Sequence, residues 1–168
     1  MNKLYVLTGP AGVGKSTISR IIAENHEKTA LIEGDSIYEQ VVGGHVSAWK
    51  PGNHLDIFWK ICLDTIDTYL KGGYDVIFNY IITSENLEKI KTRFANYKIK
   101  FVVLLVDEKT ILERDKTRPE DCQMNERCLV LLNNFKKTDY GRDFTLDTTN
   151  LNINETVEKI EKSDKFDI

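Results

Sequence analysis

A chain of 168 residues, 41% hydrophobic and 29% charged, is long enough to bury a core and has the composition of one globular domain. A formal net charge of −3 and a pI near 5.7 argue against a generic nucleic-acid or membrane-surface binder. No apolar run approaches the roughly 20 residues of a membrane span, and a strand is expected almost at the first residue, so neither a span nor a cleavable leader is expected.

Strand and helix patterns alternate along the chain. Residues 3–8 read as a short buried strand. Residues 15–25 read as a helix with Ile18, Ile21 and Ile22 on one face. A second strand is expected over 30–33. Ser36-Ile37-Tyr38-Glu39 then has the form of a capping box opening a helix over 36–42, which leaves Asp35 free. The irregular stretch 42–54 precedes a helix over 56–70, with Phe58, Ile61, Cys62, Ile66, Tyr69 and Leu70 at helical spacing. Gly72-Gly73 stops that helix. Residues 76–82 form a third, strongly apolar strand. A helix over 84–95 follows, with Ser84 as N-cap and Leu87, Ile90 and Phe94 inward. The strongest strand pattern is 99–106. The helix over 107–117 has to end near Pro119. Another helix spans 120–138, with Cys128, Leu132 and Phe135 inward; a fifth strand spans 144–147 and a last helix 154–162.

Continuous apolar strands separated by helices imply a five-stranded parallel sheet covered on both faces, a single three-layer α/β/α domain over 1–168. Ligands of such sheets bind beyond the C-terminal strand ends, here 9–17, 33–38, 79–84, 107–118 and 146–150. The three cysteines, Cys62, Cys122 and Cys128, are an odd and sparse set that suits a reducing cytoplasm. No second Cys or His pair stands near Cys122 and Cys128 to complete a zinc site.

Gly9-x-x-x-x-Gly14-Lys15-Ser16 matches the Walker A pattern, with a strand before it and a helix after it. A polyphosphate needs several backbone N–H groups turned onto one concave loop, which Gly9, Gly12 and Gly14 permit. The following helix aims its N-terminus at the phosphates. Gly9, Pro10, Ala11, Gly12, Val13, Gly14, Lys15, Ser16 and Thr17 are therefore the expected ATP-binding loop. Lys15 adds positive charge near the β and γ phosphates, and the Ser16 hydroxyl is the expected ligand of Mg²⁺. The glycine order differs from the dinucleotide fingerprint, and the guanine-reading and switch motifs of GTPases are missing.

The layout resembles the small-molecule and nucleoside-monophosphate kinases of the P-loop class, and is most similar to gluconate kinase, shikimate kinase and chloramphenicol phosphotransferase. The similarity lies in the Walker loop, in Ile32-Glu33-Gly34-Asp35 after the second strand, and in Glu113-Arg114-Asp115-Lys116-Thr117-Arg118-Pro119 followed by Arg127. Asp147-Thr148-Thr149-Asn150-Leu151 is similar to the adenine-side loop of these kinases, which puts Thr148 at the nucleotide. The resemblance implies a small helical lid at about 116–127 and an acceptor-side insertion at about 36–70. It implies transfer of the γ-phosphate of ATP to a hydroxyl of a small molecule, a sugar acid or an antibiotic-like acceptor, in a cytoplasmic monomer or homodimer that engages neither nucleic acid nor membrane.

Within that frame Asp35 is the expected acceptor-side carboxylate, orienting the hydroxyl and taking its proton. Arg114 and Arg118, four apart on one helix, share a face and are expected on the phosphate tail; the alternative is pairing with Glu113, Asp115 or Glu120. Arg127 reads on its own merits as a surface residue. Tyr38, His45, Trp49, Asn79 and Tyr80 complete the expected acceptor contacts, with Lys50 and His54 nearby; Trp49 tucked into the core is the alternative. Asp107-Glu108 reads either as a Walker B end or, preferably, as a helix cap with an acidic first turn. The third strand ends in Phe78-Asn79-Tyr80, without the acidic residue many relatives place there. That departure keeps a non-catalytic ATP-binding protein as an alternative. A nucleotide kinase is a further one, although Arg93 is the only obvious cation for a monophosphate between the second and fourth strands.

Overall fold

The computed structural model describes residues 2–48, 50–120 and 123–168. Its elements run β1 (Lys3–Thr8), α1 (Lys15–Glu24), β2 (Thr29–Glu33), α2 (Gly34–Tyr38), α3 (His54–Lys71), β3 (Asp75–Asn79) and α4 (Ser84–Arg93). They continue with β4 (Lys98–Leu105), α5 (Glu108–Lys116), α6 (Glu126–Lys137), β5 (Thr145–Asp147) and α7 (Ile153–Lys162), and close on a 3₁₀ turn at Asp164–Phe166.

All five strands are parallel, in the order β2-β3-β1-β4-β5. β1 and β4 carry unbroken apolar runs because both faces of the sheet are covered: Leu4 to Leu7 and Phe101 to Leu105 are buried. The β1-to-β2 connection runs toward one edge and the later ones run back. With right-handed crossovers that reversal puts α1 and α3 on opposite faces, which makes three layers. α1 packs on β2 and β3 and meets α7, while α3 lies on the same two strands from the other side. β1 sends its chain toward β2 and β4 sends its chain toward β5, so a crevice opens between their C-terminal ends.

Several boundaries differ from the sequence reading, each for a local reason. The third strand stops at Asn79 instead of residue 82. Tyr80 N–H donates to Leu7 O at 3.2 Å and Ile82 N–H to the Thr8 hydroxyl at 2.9 Å, so the chain bends over the end of β1. Thr83, not Ser84, caps α4 by accepting from Asn86 N–H. α2 begins at Gly34 with no side-chain cap, so the expected capping box is not made and Asp35 lies in the first helical turn. α6 begins at Glu126 instead of residue 120, because the preceding chain is drawn onto a buried carboxylate described below. Among the described residues no helix is long and apolar enough to cross a membrane.

Candidate active site

The loop after β1 sits in the crevice between β1 and β4. Gly9 is required by close approach: a Cβ there would stand 2.4 Å from Leu104 O, with φ at +144°. Gly14 holds φ at +106° as the residue that enters α1. Lys15 is 9% exposed, and its ammonium donates to Gly9 O at 2.9 Å and Pro10 O at 3.0 Å. Burial pulls its pKa down to about 8; Asp35 opposes that fall and Arg118 adds to it. Among the described residues no carboxylate lies within ion-pair distance of this buried cation. A polyphosphate is the counter-ion that such a cradle fits. The hydroxyls of Ser16 and Thr17, exposed at the start of α1, open on the same cavity. Among the described residues no group of three or more His, Cys, Asp or Glu side chains could hold a metal ion. A Mg²⁺ at the Ser16 hydroxyl would take its other ligands from phosphate oxygens and water, the sparse protein ligation usual for that ion.

The cavity has a volume of about 1270 Å³ and reaches from the Walker loop to α2 on one side and α7 on the other. Arg114, Arg118 and Arg127 all line it. Arg114 donates through Nη1 to Val13 O at 2.9 Å and so braces the phosphate loop directly. Arg118 does not share a helix face with it: α5 ends at Lys116, and Arg118 stands beyond the C-cap Thr117. Asp115 holds Arg118 instead, at 3.3 Å.

Sequence reasoning treated Asp115 only as a pairing option, and the structure gives it a larger part. It is 2% exposed and accepts the N–H groups of Met124, at 2.9 Å, and Asn125, at 2.7 Å. Burial works against its ionisation. The two N–H groups and Arg118 outweigh burial and hold its carboxyl below the usual range. One carboxylate thus fastens both ends of the segment between α5 and α6, where the lid is expected; Asp121 and Cys122 of that segment lie outside the described residues. Asn125 adopts φ of +50° at this anchor. The signal in the sequence was an acidic residue at the buried spacing from Ile111.

Asp107 is the cap of α5. Its Oδ1 accepts Thr110 N–H at 2.7 Å, and its side-chain and backbone bonds with Thr110 hold its carboxyl low. Thr148 is buried on the cavity wall, with N–H and hydroxyl both on Leu105 O. Leu151, from the stretch expected at the adenine side, continues that wall, and so do Ile153 and Thr156, which were not anticipated. They offer an apolar flank for a base.

Asp35, Tyr38, His45 and Tyr80 line the other half of the cavity. Tyr80 packs so tightly on Gly34 that a Cβ there would meet its ring at 2.5 Å. Burial, then Asp35, raises the Tyr80 phenol. Rings join edge to face behind it: His45 to Tyr38 at 5.4 Å, Tyr38 to Phe58 at 5.4 Å, and Trp59 to Tyr80 at 5.9 Å. Trp59 was missed by the sequence reading, and Trp49, which was expected here, lies outside the described residues. Asn79 does not reach the cavity. It is buried in register between Leu7 and Glu33, with Nδ2 unpartnered among the described residues. Arg93 is bound to Asp64 at 2.6 Å on the surface and does not line the cleft.

Residues 4–137 match the model of the family described as AAA domain. Among solved structures the chain is similar to a sugar kinase from Janibacter sp. HTCC2649, at TM-score 0.74 and 14% identity, covering 95% of this chain and 92% of that one. It is similar to a gluconokinase from Sinorhizobium meliloti 1021, at TM-score 0.69 and 17% identity over 94% and 89% of the two chains. The tunicamycin resistance protein of Deinococcus radiodurans aligns at TM-score 0.69 and 16% identity, over 95% and 94%. At these identities the likeness is one of fold. No curated protein matches the sequence.

Proposed function

The chain belongs to this AAA-domain family of P-loop proteins, with a kinase-like fold, and we propose that it is an ATP-dependent phosphotransferase acting on a hydroxyl of a small molecule. One observation carries the reading. Lys15 and Asp35 open on a single cavity, near enough that the carboxylate's charge acts on the buried ammonium. A site that only held ATP would need the first residue and not the second.

The Walker loop and Lys15 hold the polyphosphate, and Arg114 keeps the loop in shape. Mg²⁺ at the Ser16 hydroxyl would supply charge neutralisation on the phosphate oxygens. Asp35 orients the acceptor hydroxyl and takes its proton as the oxygen bonds to the γ-phosphorus. The bond to the β–γ bridging oxygen breaks, and ADP departs with that electron pair. Lys15 and Arg118 balance the charge that spreads over the transferred group. Thr148, Leu151 and Ile153 serve the nucleoside end, and we place the protein in the cytoplasm.

The alternative, a non-catalytic ATP-binding protein, draws on Asn79, which puts no negative charge at the end of β3. The test is ADP release with ATP and Mg²⁺ across a broad panel of hydroxylated compounds, alongside Asp35→Asn. The kinase reading expects turnover with some acceptor and a loss of roughly a hundredfold or more in Asp35→Asn. Intact ATP binding without ADP release on any acceptor would favour the alternative.

A further inference from the structure

The cavity is electrically divided. Its lysine and arginines, Lys15, Arg114, Arg118 and Arg127, stand at the end of the phosphate loop, on α5, on the segment after it and in the first turn of α6. Among the described residues lining the acceptor half there is no lysine or arginine; its one basic side chain is the imidazole of His45. That half carries two carboxylates instead. Asp35 and Glu39 follow each other by one helical turn, with Glu39 N–H bonded to Asp35 O at 2.9 Å. Among the described residues Glu39 has no ion-pair or hydrogen-bond partner for its carboxylate. The rest of the wall is aromatic and apolar at Tyr38, Tyr80, Ala48 and Ile81, with the neutral hydroxyl of Ser47 among them.

Two of the acceptor classes expected from sequence sit badly here. A sugar acid or a nucleoside monophosphate would bring negative charge beside Asp35 and Glu39 with no fixed cation to meet it. A ring finds faces and edges on Tyr38 and Tyr80. A basic nitrogen finds a carboxylate without a partner and the negative faces of the same rings. We propose that the acceptor is a ring-bearing alcohol with a basic amine, its ring against Tyr38 and Tyr80, its hydroxyl at Asp35 and its ammonium at Glu39. The inference rests on the kinase reading for the fate of the hydroxyl, but the selection is a binding property and is measured separately.

Three matched probes separate the charges at constant shape: 4-(aminomethyl)benzyl alcohol, 1,4-benzenedimethanol and 4-(hydroxymethyl)benzoate. Binding is followed by tryptophan fluorescence in the presence of ADP and Mg²⁺, since Trp59 touches Tyr80. ADP release from ATP is followed in parallel. The amine is expected to bind most tightly and the benzoate least, with at least about tenfold between them. Glu39→Gln should shrink the ratio of amine to neutral affinity by about threefold, and Glu39→Asp should restore most of it. Thermal unfolding verifies that each variant is folded. Benzoate binding as tight as the amine, an equal affinity for amine and neutral probes, or a ratio unmoved by Glu39→Gln overturns the proposal. Amine-selective binding with no ADP release from these probes or from the broad panel above sinks the kinase reading alone and leaves the selection standing.

Discussion

Lys15 gives the sharpest quantitative handle on the site. It is buried, held among the described residues by two carbonyl oxygens, and its pKa falls from 10.5 to about 8. At 1.36 kcal/mol per pH unit that displacement amounts to about 3 kcal/mol. The unfolded chain binds the proton more tightly than the fold does, so between pH 8 and 10.5 stability rises with pH. The cost is borne in full below about pH 8 and disappears toward the unfolded value. Lys15→Met removes the titrating group and keeps a similar length. Whatever constant amount the methionine adds, the stability gap between variant and wild type should shift by about 2 kcal/mol between pH 7 and pH 9.5, in favour of the wild type as pH rises. For a chain of this size that is about 4–8 °C in Tm. The assay is thermal unfolding of both proteins without nucleotide, over that pH range; other titrating groups cancel in the difference. ATP should reverse the effect in the wild type by taking up about half a proton at pH 8, read by calorimetry in buffers of different ionisation enthalpy. A gap constant to within a degree from pH 7 to pH 9.5 would refute the claim that this ammonium is desolvated and waiting for an anion.

Further predictions follow from contacts around the cleft. Gly9→Ala meets Leu104 O at 2.4 Å with φ at +144°, and should cost about 3 kcal/mol or more in chemical denaturation. Gly43→Ala, with nothing within 4 Å, should cost less than about 0.5 kcal/mol under the same conditions. Asp115→Asn turns an amide NH₂ toward the Met124 or Asn125 N–H, and should destabilise by roughly 2 kcal/mol. It should also raise KM for ATP more than KM for the acceptor, because Arg118 loses its anchor. Asp115 is held below its ordinary pKa, so its contribution is present above the unfolded value and lost as pH falls through the folded one. The wild type should therefore lose its advantage over Asp115→Asn in acid unfolding, and an advantage unchanged down to pH 2.5 would contradict the buried-carboxylate account.

What was legible in the sequence is what local chemistry determines. Gly9, Gly14 and Lys15 sit at fixed spacing between a strand and a helix, and that spacing carries the phosphate cradle with it. The parallel sheet followed from apolar strands separated by amphipathic helices. The errors lie where a side chain reaches across the chain. Nothing near residue 120 announces that a carboxylate at 115 will draw the N–H groups of residues 124 and 125 onto itself and delay α6. Nothing in Thr8 announces that its hydroxyl will accept Ile82 N–H and end β3 early. Nothing in the helical spacing singled out Trp59, because its contact with Tyr80 depends on how α3 lies on β3.

The two halves of the cleft differ for a physical reason. A polyphosphate offers the same charge and the same oxygens in every protein that binds it, so loop and lysine recur as a readable string. An acceptor is recognised by the sum of side chains from α2, the 39–53 loop and the turn after β3, none adjacent in sequence to the others. Charge is the property of that sum that acts at the longest range. With Arg93 bound to Asp64 outside the cleft, the acceptor half keeps two carboxylates and no arginine or lysine among its described lining residues. A monophosphate or a sugar acid would then depend for its counter-charge on the donor half, where the proposed reading already commits Lys15 and Arg118 to the phosphates of ATP. Adding a cation where Ile81 now stands, as Ile81→Arg, should therefore raise affinity for the benzoate probe by about threefold or more and lower that for the amine. If instead both affinities move together, the division of charge across the cleft is not what chooses the acceptor.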